Sequence, residues 1–258
     1  MGAGTLYLVP TPLGNLEDIT LRALRVLREV EWIAAEDTRR ARTLLQAYEI
    51  SVRPTAHHAH NEHREVPRLL TRLERGESGA LITDAGMPGI SDPGFLLARE
   101  ARRAGVPVEV LPGPSAVITA LVASDFPPEP FVFLGYCPRT KSGRASFWES
   151  LQAESRTVVF FETPHRLRVV LEEMSPVLGE RRLAIARELT KLHQEILRGT
   201  AGELLEMLPD PVRGELVIVV APLSRRQRKR ERAGGAEQGS EARDAGDRDE
   251  SPTDQEIP

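Results

Sequence analysis

The sequence is poor in cysteine and contains no long apolar run. Cys137 is the only cysteine among 258 residues, which excludes an intrachain disulfide and a cysteine-clustered metal site. A reducing cytoplasm is therefore the expected location. No apolar stretch approaches the roughly 18 residues that a membrane-spanning helix needs. The N-terminus also lacks a basic start and a long apolar segment, so neither a membrane anchor nor a secretory signal is expected.

The chain has no net positive charge and little lysine. The net charge is −4, so the chain as a whole is not a basic nucleic-acid binder. Lysine occurs only at Lys141, Lys191 and Lys229, and the other basic residues are arginines. With so much Ala, Gly and Pro, this bias reflects a GC-rich genome as readily as selection for arginine chemistry. Only the positions of the arginines are therefore informative.

Several common functional motifs are missing. The first predicted strand is not followed by G-x-G-x-x-G, and no G-x-x-x-x-G-K-[ST] or G-x-S-x-G occurs. These absences argue against a dinucleotide-binding fold, a P-loop and a hydrolase nucleophile elbow. Four histidines crowd between His57 and His63, but their spacing matches no recognised ligand pattern. No metal is expected.

Apolar runs alternate with helical patterns along the chain. In the first half, strands are predicted at 6–9, 32–35, 80–83 and 108–111, and helices at 19–30, 38–48, 69–73, 93–104 and 115–123. This alternation predicts a mostly parallel sheet covered on both faces. The second half begins again, with strands at 131–136, 158–161, 183–186 and 216–220 and helices at 146–151, 164–174 and 202–208. The predicted fold class is α/β with two domains.

Two breaks divide the chain. Three prolines in the segment DFPPEP form a stiff linker, which predicts an N-terminal α/β domain over 1–125 and a C-terminal α/β domain over 126–223. From residue 224 the sequence becomes RRQRKRER and then a mixture of Gly, Ala and acidic residues. Residues 224–258 are therefore predicted to be a disordered charged tail.

Polar clusters follow four of the predicted strands, at 36–39, 84–86, 162–166 and 187–191. Ligands of open α/β sheets bind at the carboxyl ends of the strands, so these clusters are expected to converge. An alternative for each is that an acidic residue caps the next helix. Asp92, just before Pro93, is predicted to be such a cap.

The loop ITDAGMPGISDPG, from Ile82 to Gly94, is glycine-rich and acidic and contains no lysine or arginine. An acidic loop without cationic side chains does not favour the binding of a phosphate group. Gly86 and Gly89 let the backbone approach a ligand closely, and Pro88 stiffens the turn. Such a site suits a ligand with hydroxyls and a positive centre. S-adenosylmethionine (SAM) fits, while other nucleosides and sugars remain open.

The residues also carry a family resemblance over positions 4–221. The segments PTPLGNLEDIT, AEDTR, DAGMPGISDPG and ARELTK resemble the tetrapyrrole-methylase superfamily, and within it the bacterial enzymes that methylate a cytidine ribose of 16S rRNA. The resemblance implies a class III SAM methyltransferase fold with SAM in a cleft between two domains. It implies 2′-O-methylation of cytidine 1402 in the decoding centre of the small ribosomal subunit. It also implies a homodimer.

The resemblance assigns the cofactor site by matching positions. The predicted SAM-binding residues are Pro10, Asp84, Ala85, Gly86, Pro88, Gly89, Ile90, Ser91, Ser115, Ala116, Phe161, Glu162, Leu189 and Thr190. Candidates for accepting the hydroxyl proton are Asp37, Glu188 and Lys191. Arg39, Arg40, Arg166 and Arg187 are predicted to bind RNA phosphates, because guanidinium forks match phosphate oxygens.

The sequence leaves other functions open, both for some of these residues and for the protein. Glu36 and Asp37 are equally suited to cap the helix that begins at Thr38, and the arginines suit an ordinary surface. The segment TKSGRASFW is less basic than its counterpart in the resembling enzymes, which weakens the case for RNA contact there. Two other functions compete: methylation of a tetrapyrrole, and a non-catalytic module that binds RNA or ribosomes.

Overall fold

The computed structural model describes residues 2–223, which form two five-stranded sheets with helices on both sides of each. The predicted tail at 224–258 lies outside the described residues. The α/β fold class is confirmed. Within residues 2–223, no helix is both long and apolar enough to cross a bilayer.

The first sheet, predicted to be mostly parallel, is entirely parallel. Its strands are β1 (Leu6–Leu8), β2 (Trp32–Ala35), β3 (Pro54–Ala56), β4 (Gly79–Ile82) and β5 (Val108–Val110), in the order β3-β2-β4-β1-β5. Its helices are α1 (Leu21–Glu29), α2 (Thr38–Ala47), α3 (Glu62–Glu74) and α4 (Phe95–Arg103). Helices α1 and α2 pack on one face, and α3 and α4 pack on the other. Burial on both faces explains why its central strands are almost wholly apolar.

The second sheet is mixed. Its strands are β6 (Phe131–Tyr136), β7 (Thr157–Glu162), β8 (Leu183–Arg187), β9 (Glu195–Gly199) and β10 (Leu216–Val220), in the order β6-β7-β10-β8-β9. Only β6 and β7 pair in parallel. A short loop joins β8 to β9, and a direct connection of that kind requires antiparallel strands. One face is covered by α6 (Lys141–Ala153), α7 (Pro164–Leu178) and α8 (Ala201–Met207).

Helix α5 (Ala116–Ala123) covers the other face of the second sheet. Its sequence, AVITALVA, is apolar on all sides. Val117 and Leu121 lie in one cluster with Val159 and Val217 of the second sheet. A helix that precedes the proline-rich linker thus packs on strands that follow it. The domain boundary at residue 125 stays a prediction.

Two helices differ in how the local sequence caps their first turn. The Thr20 side chain accepts a hydrogen bond from the Ala23 N–H at the start of α1. The predicted cap at Asp92 is wrong, because α4 begins at Phe95 and is preceded by Gly94, which provides no side-chain cap. Gly94 has φ +127°, and a side chain there would collide with Leu81. Asp92 is therefore left outside the helix.

Candidate active site

A cavity of about 300 Å³ lies where the two sheets meet. Its walls come from the carboxyl ends of β2, β4, β7 and β8 and from the start of the antiparallel strand β10, which lies at the same edge. The loop after β4 provides residues from Asp84 to Asp92, and α5 provides its first turn. The convergence of polar clusters at this edge matches the general position of ligand sites in α/β sheets.

Most of the predicted cofactor residues line this cavity. They are Asp84, Ala85, Gly86, Ile90, Ser91, Ser115, Ala116, Phe161, Glu162 and Leu189. Four others, Pro10, Pro88, Gly89 and Thr190, do not belong to its lining. Thr190 instead accepts a hydrogen bond from the Asn15 N–H at 3.0 Å. The function of all fourteen in binding a cofactor stays a prediction.

The acidic loop is held in a tight, unusual backbone conformation. Gly86 exchanges two backbone hydrogen bonds with Thr11, at 2.9 and 3.0 Å, which tie the loop to the segment after β1. Gly86 has φ +81°, and Ser91 has φ +64° although it is not glycine. Residues with side chains rarely adopt this region, and where they do the surrounding structure holds them there. The loop is thus preorganised around the cavity.

Negative charge dominates the cavity. The carboxyl groups of Glu36, Asp84, Asp92 and Glu215 line it, and Arg40 is the cation among its lining residues. Burial, reinforced by the charge of Asp84, raises the pKa of Glu36. Burial and the neighbouring charges of Glu36, Asp84 and Glu215 raise the pKa of Asp92 to about 7. A cavity that raises carboxyl pKa values in this way favours a cationic ligand.

Asp37 acts as the cap of α2 and lies outside the cavity lining. Its carboxylate accepts a hydrogen bond from the Arg39 N–H at 2.8 Å, and its own N–H donates to Asp84 Oδ1 at 3.0 Å. Hydrogen bonds from the Arg39 side chain and backbone lower the pKa of Asp37 to about 2. A carboxylate with so low a pKa is a weak proton acceptor at neutral pH. This geometry favours the capping interpretation.

Lys191 pairs with two carboxylates of the second half of the chain and packs against Gly14 of the first half. Lys191 Nζ lies 2.8 Å from Glu188 Oε1 and 3.3 Å from Glu215 Oε2. The lysine stem crosses Gly14, where an added Cβ would lie 2.1 Å from Lys191 Cγ. Burial opposes the charge of Lys191, but the hydrogen bond to Glu188 and the charge of Glu215 raise its pKa. Lys191 therefore stays protonated at neutral pH.

Arg166 and Glu162 pair with each other. Arg166 Nε lies 2.7 Å from Glu162 Oε1, and Nη2 lies 2.9 Å from Oε2. The guanidinium also donates to the carbonyl oxygens of Cys137 and Pro138, at 2.9 and 3.2 Å. The Glu162 side chain is completely buried. This arrangement favours a structural function for both side chains.

The other three predicted RNA-binding arginines differ in their freedom to bind a phosphate. Arg187 is engaged with Glu195 at 2.9 Å and is one-fifth exposed. Arg39 is 86% exposed and contacts only the capping carboxylate of Asp37 among the ion pairs of the described residues. Arg40 lies at the cavity, 3.5 Å from Asp84 and 3.8 Å from Glu215. Arg39 and Arg40 are the better placed of the four for an incoming phosphate.

A smaller cavity of about 240 Å³ adjoins the first. The two share Leu13, Arg40 and Asp84 in their walls. The smaller one is otherwise bounded by the segment after β1, by α2 and by the end of β4. The two cavities therefore have a common wall.

Sequence reasoning missed part of the site. Tyr136 and Glu215 face the main cavity from the second sheet, and neither is among the site residues predicted from the sequence. Asp92 belongs to the glycine-rich loop, which was a usable signal, but its position before a proline pointed to a helix cap. Within residues 2–223, no three His, Cys, Asp or Glu side chains are grouped so that they hold a metal ion.

Comparison with known proteins identifies the family. The family model described as Tetrapyrrole (Corrin/Porphyrin) Methylases matches residues 5–205. Proteins named ribosomal RNA small subunit methyltransferase I are similar to this chain. The one from Escherichia coli O157:H7 is 47% identical over 221 residues, which cover 84% of this chain and 77% of that protein. The one from Halalkalibacterium halodurans is 44% identical over 218 residues, which cover 84% of this chain and 75% of that protein.

The fold has a solved counterpart as well. A crystal structure of diphthine synthase superposes with a TM-score of 0.69 and covers 84% of this chain and 90% of that one, at 13% identity. That likeness concerns the fold alone. The match of the family model and the identity to the curated relatives each span most of the chain. The chain therefore belongs to the tetrapyrrole (corrin/porphyrin) methylase family, within the group of the ribosomal RNA small subunit methyltransferases I.

Proposed function

We propose that this protein transfers a methyl group from SAM to the ribose 2′-oxygen of cytidine 1402 in 16S rRNA. The observation that carries the proposal is the acidic cavity at the junction of the two sheets, together with the name of the relatives that are 44% and 47% identical to this chain. The acidic cavity supports SAM as the methyl donor, and the name of the relatives supports rRNA as the methyl acceptor. The cytidine and its 2′-oxygen come from the resemblance of the motifs.

The residues of the cavity fit SAM. SAM supplies a methyl group on a positively charged sulfur, beside an ammonium group and a ribose. Asp84 is placed to accept hydrogen bonds from ribose hydroxyls or to face a cationic centre, and Asp92 and Glu36 add negative charge. Phe161, Leu189 and Ala116 offer apolar surface for an adenine ring, as most ligand pockets do.

The hydroxyl proton must leave as the oxygen–methyl bond forms and the methyl–sulfur bond breaks with its electron pair on sulfur. Asp37 and Glu188 accept hydrogen bonds that lower their pKa values and so disfavour proton uptake. Lys191 is already protonated, because its hydrogen bond to Glu188 and the charge of Glu215 raise its pKa. Glu36 and Asp92 line the cavity, carry no hydrogen bond among the described side chains, and have raised pKa values. A raised pKa makes a carboxylate a better proton acceptor, so these two carboxyls are the stronger candidates.

Positioning supplies much of the expected rate, because holding donor and acceptor in line removes most of the entropic cost of their encounter. Arg39 and Arg40 are the proposed contacts to the phosphates beside the target. A cytidine in folded RNA has to be splayed out to enter a cavity of this kind. The homodimer and the cytoplasmic location stay predictions.

Calorimetry with SAM tests the donor site. Asp84→Ala is expected to weaken SAM binding by about 10- to 150-fold, because a lost hydrogen bond to a charged group costs about 1.5–3 kcal/mol. Asp18→Ala, which removes a carboxylate outside the cavity, is the matched control. Unchanged SAM affinity in a folded Asp84 variant would remove Asp84 from the site. Methyl transfer to a tetrapyrrole but not to small ribosomal subunits would replace the proposed acceptor.

A further inference from the structure

We propose that the smaller cavity, whose lining includes Thr11, Leu16, Arg40, Thr43, Ile82 and Thr83, binds the base of the target nucleotide and selects one that carries an exocyclic amino group. This inference rests on the proposed function, since it places the acceptor beside the donor site. Under the proposed function this base is cytosine, which carries an exocyclic amino group. Uracil carries a carbonyl oxygen at the same position and would be excluded.

The position of the cavity is the first argument. It adjoins the larger cavity and shares Leu13, Arg40 and Asp84 with it. A methyl donor in the larger cavity and a nucleoside in the smaller one would therefore meet at this common wall. Methyl transfer needs the two reacting atoms held in line at short range, and adjoining cavities provide that arrangement.

The walls suit a flat ring. Leu44 and Ile82 are buried apolar residues in its lining, and Leu16 lies at its edge with 42% of its surface exposed. An exposed leucine beside a cavity offers apolar surface on which a base can pack. The short helix that carries Leu16 is held in place by Tyr48, whose hydroxyl donates to the Leu16 carbonyl at 2.5 Å.

The hydrogen-bonding side chains provide the selectivity. All three lining threonines donate their hydroxyl protons to carbonyl oxygens: Thr11 to Thr83 at 3.0 Å, Thr43 to Arg39 at 3.2 Å, and Thr83 to Gly86 at 3.4 Å. Their oxygens are then left as acceptors only. The Asp84 carboxylate is an acceptor too. An amino group can donate to such a lining, whereas the carbonyl edge of uracil would face acceptors and stay unpaired.

Arg40 is the cation of this cavity. Its guanidinium lies 3.5 Å from Asp84 and 3.8 Å from Glu215, distances too long for strong hydrogen bonds, and it is 59% exposed. It is therefore available to a nucleotide phosphate or to the carbonyl oxygen that a cytosine ring carries. The cavity thus combines apolar walls, an accepting edge and one positive group at its rim.

Thr43→Val is the decisive variant, because it keeps the shape and removes the accepting oxygen. Thr71→Val is its matched control, since Thr71 is also exposed on a helix and donates to the carbonyl four residues earlier, at 3.0 Å. Methyl transfer would be measured on small subunits carrying cytidine or uridine at the target position. We expect Thr43→Val to lower kcat/KM for cytidine by about 3- to 10-fold and to reduce the preference over uridine by a similar factor. SAM affinity stays unchanged.

Thr43→Val behaving like Thr71→Val in both readouts would overturn the inference. A second measurement needs no activity: methyl NMR spectra are recorded while cytidine or uridine 5′-monophosphate is added. We expect the cytidine nucleotide to shift the methyl signals of Thr43 and Leu16 more than the uridine nucleotide does. Shifts confined to Ala85 and Ala116 of the larger cavity would also overturn it. A wild-type enzyme without methyl transfer would count against the proposed function, and the titration would still test the cavity.

Discussion

Replacing Arg166 separates a structural function of this arginine from RNA binding. The Glu162 carboxylate is completely buried and receives two hydrogen bonds from Arg166, at 2.7 and 2.9 Å. Arg166→Ala leaves that carboxylate buried without its cation. Removing one partner of a buried pair costs about 3–5 kcal/mol, because the remaining charge is uncompensated. We therefore expect Arg166→Ala to lower the free energy of unfolding by that amount.

Urea unfolding at pH 7 measures this loss, with Glu162→Gln and the double variant completing a mutant cycle. The cycle should show strong coupling, so the double variant loses less stability than the two single losses added together. Arg39→Ala is the control, because Arg39 is 86% exposed, and its stability should be unchanged. A stable Arg166→Ala protein with lost rRNA affinity would refute the structural assignment. It would restore Arg166 as an RNA contact.

Two further predictions follow from the site. Gly14→Ala forces a Cβ to within 2.1 Å of Lys191 Cγ and should cost about 1–3 kcal/mol in urea unfolding, whereas Gly202→Ala, whose nearest neighbour atom is 3.6 Å away, should cost nothing. Equal stability of the two variants would show that the Lys191 stem does not pack tightly against Gly14. Folding raises the pKa of Asp92 from 3.8 to about 7, so its contribution to stability is present below pH 4 and lost as the pH rises to 7. Asp92→Asn should therefore gain stability over wild type across that window, by at most about 4 kcal/mol, and a pH-independent difference would contradict this.

The fold was largely predictable, and the exceptions share a physical cause. Central strands such as β4 and β10 are buried along their whole length, so they appear as apolar runs. The two strands that the sequence did not predict, Pro54–Ala56 and Glu195–Gly199, are edge strands. They are bonded on one side only and are partly exposed, so their sequences are mixed. Their existence depends on a neighbouring strand and not on their own apolar pattern.

The site was predictable where it depends on one continuous loop. The glycines, the proline and the acidic charge between Asp84 and Ser91 predicted a ligand site, and most of these residues line the cavity. The pairings of charged groups were not predictable. Arg166 pairs with Glu162 and with two carbonyl oxygens, and these neighbours come from the end of β7 and from the segment after β6. The Asp92 carboxyl does not cap α4, because Gly94 and not Asp92 is the residue that precedes this helix.

Methyl transfer from labelled SAM to small ribosomal subunits lacking the modification is the most direct test of the proposed function. The rRNA is digested to nucleosides after the reaction, and the labelled position is mapped. We expect one labelled nucleoside, 2′-O-methylcytidine, at position 1402 of 16S rRNA. Label on a base, label at another nucleotide, or no incorporation by a protein that binds SAM would contradict it.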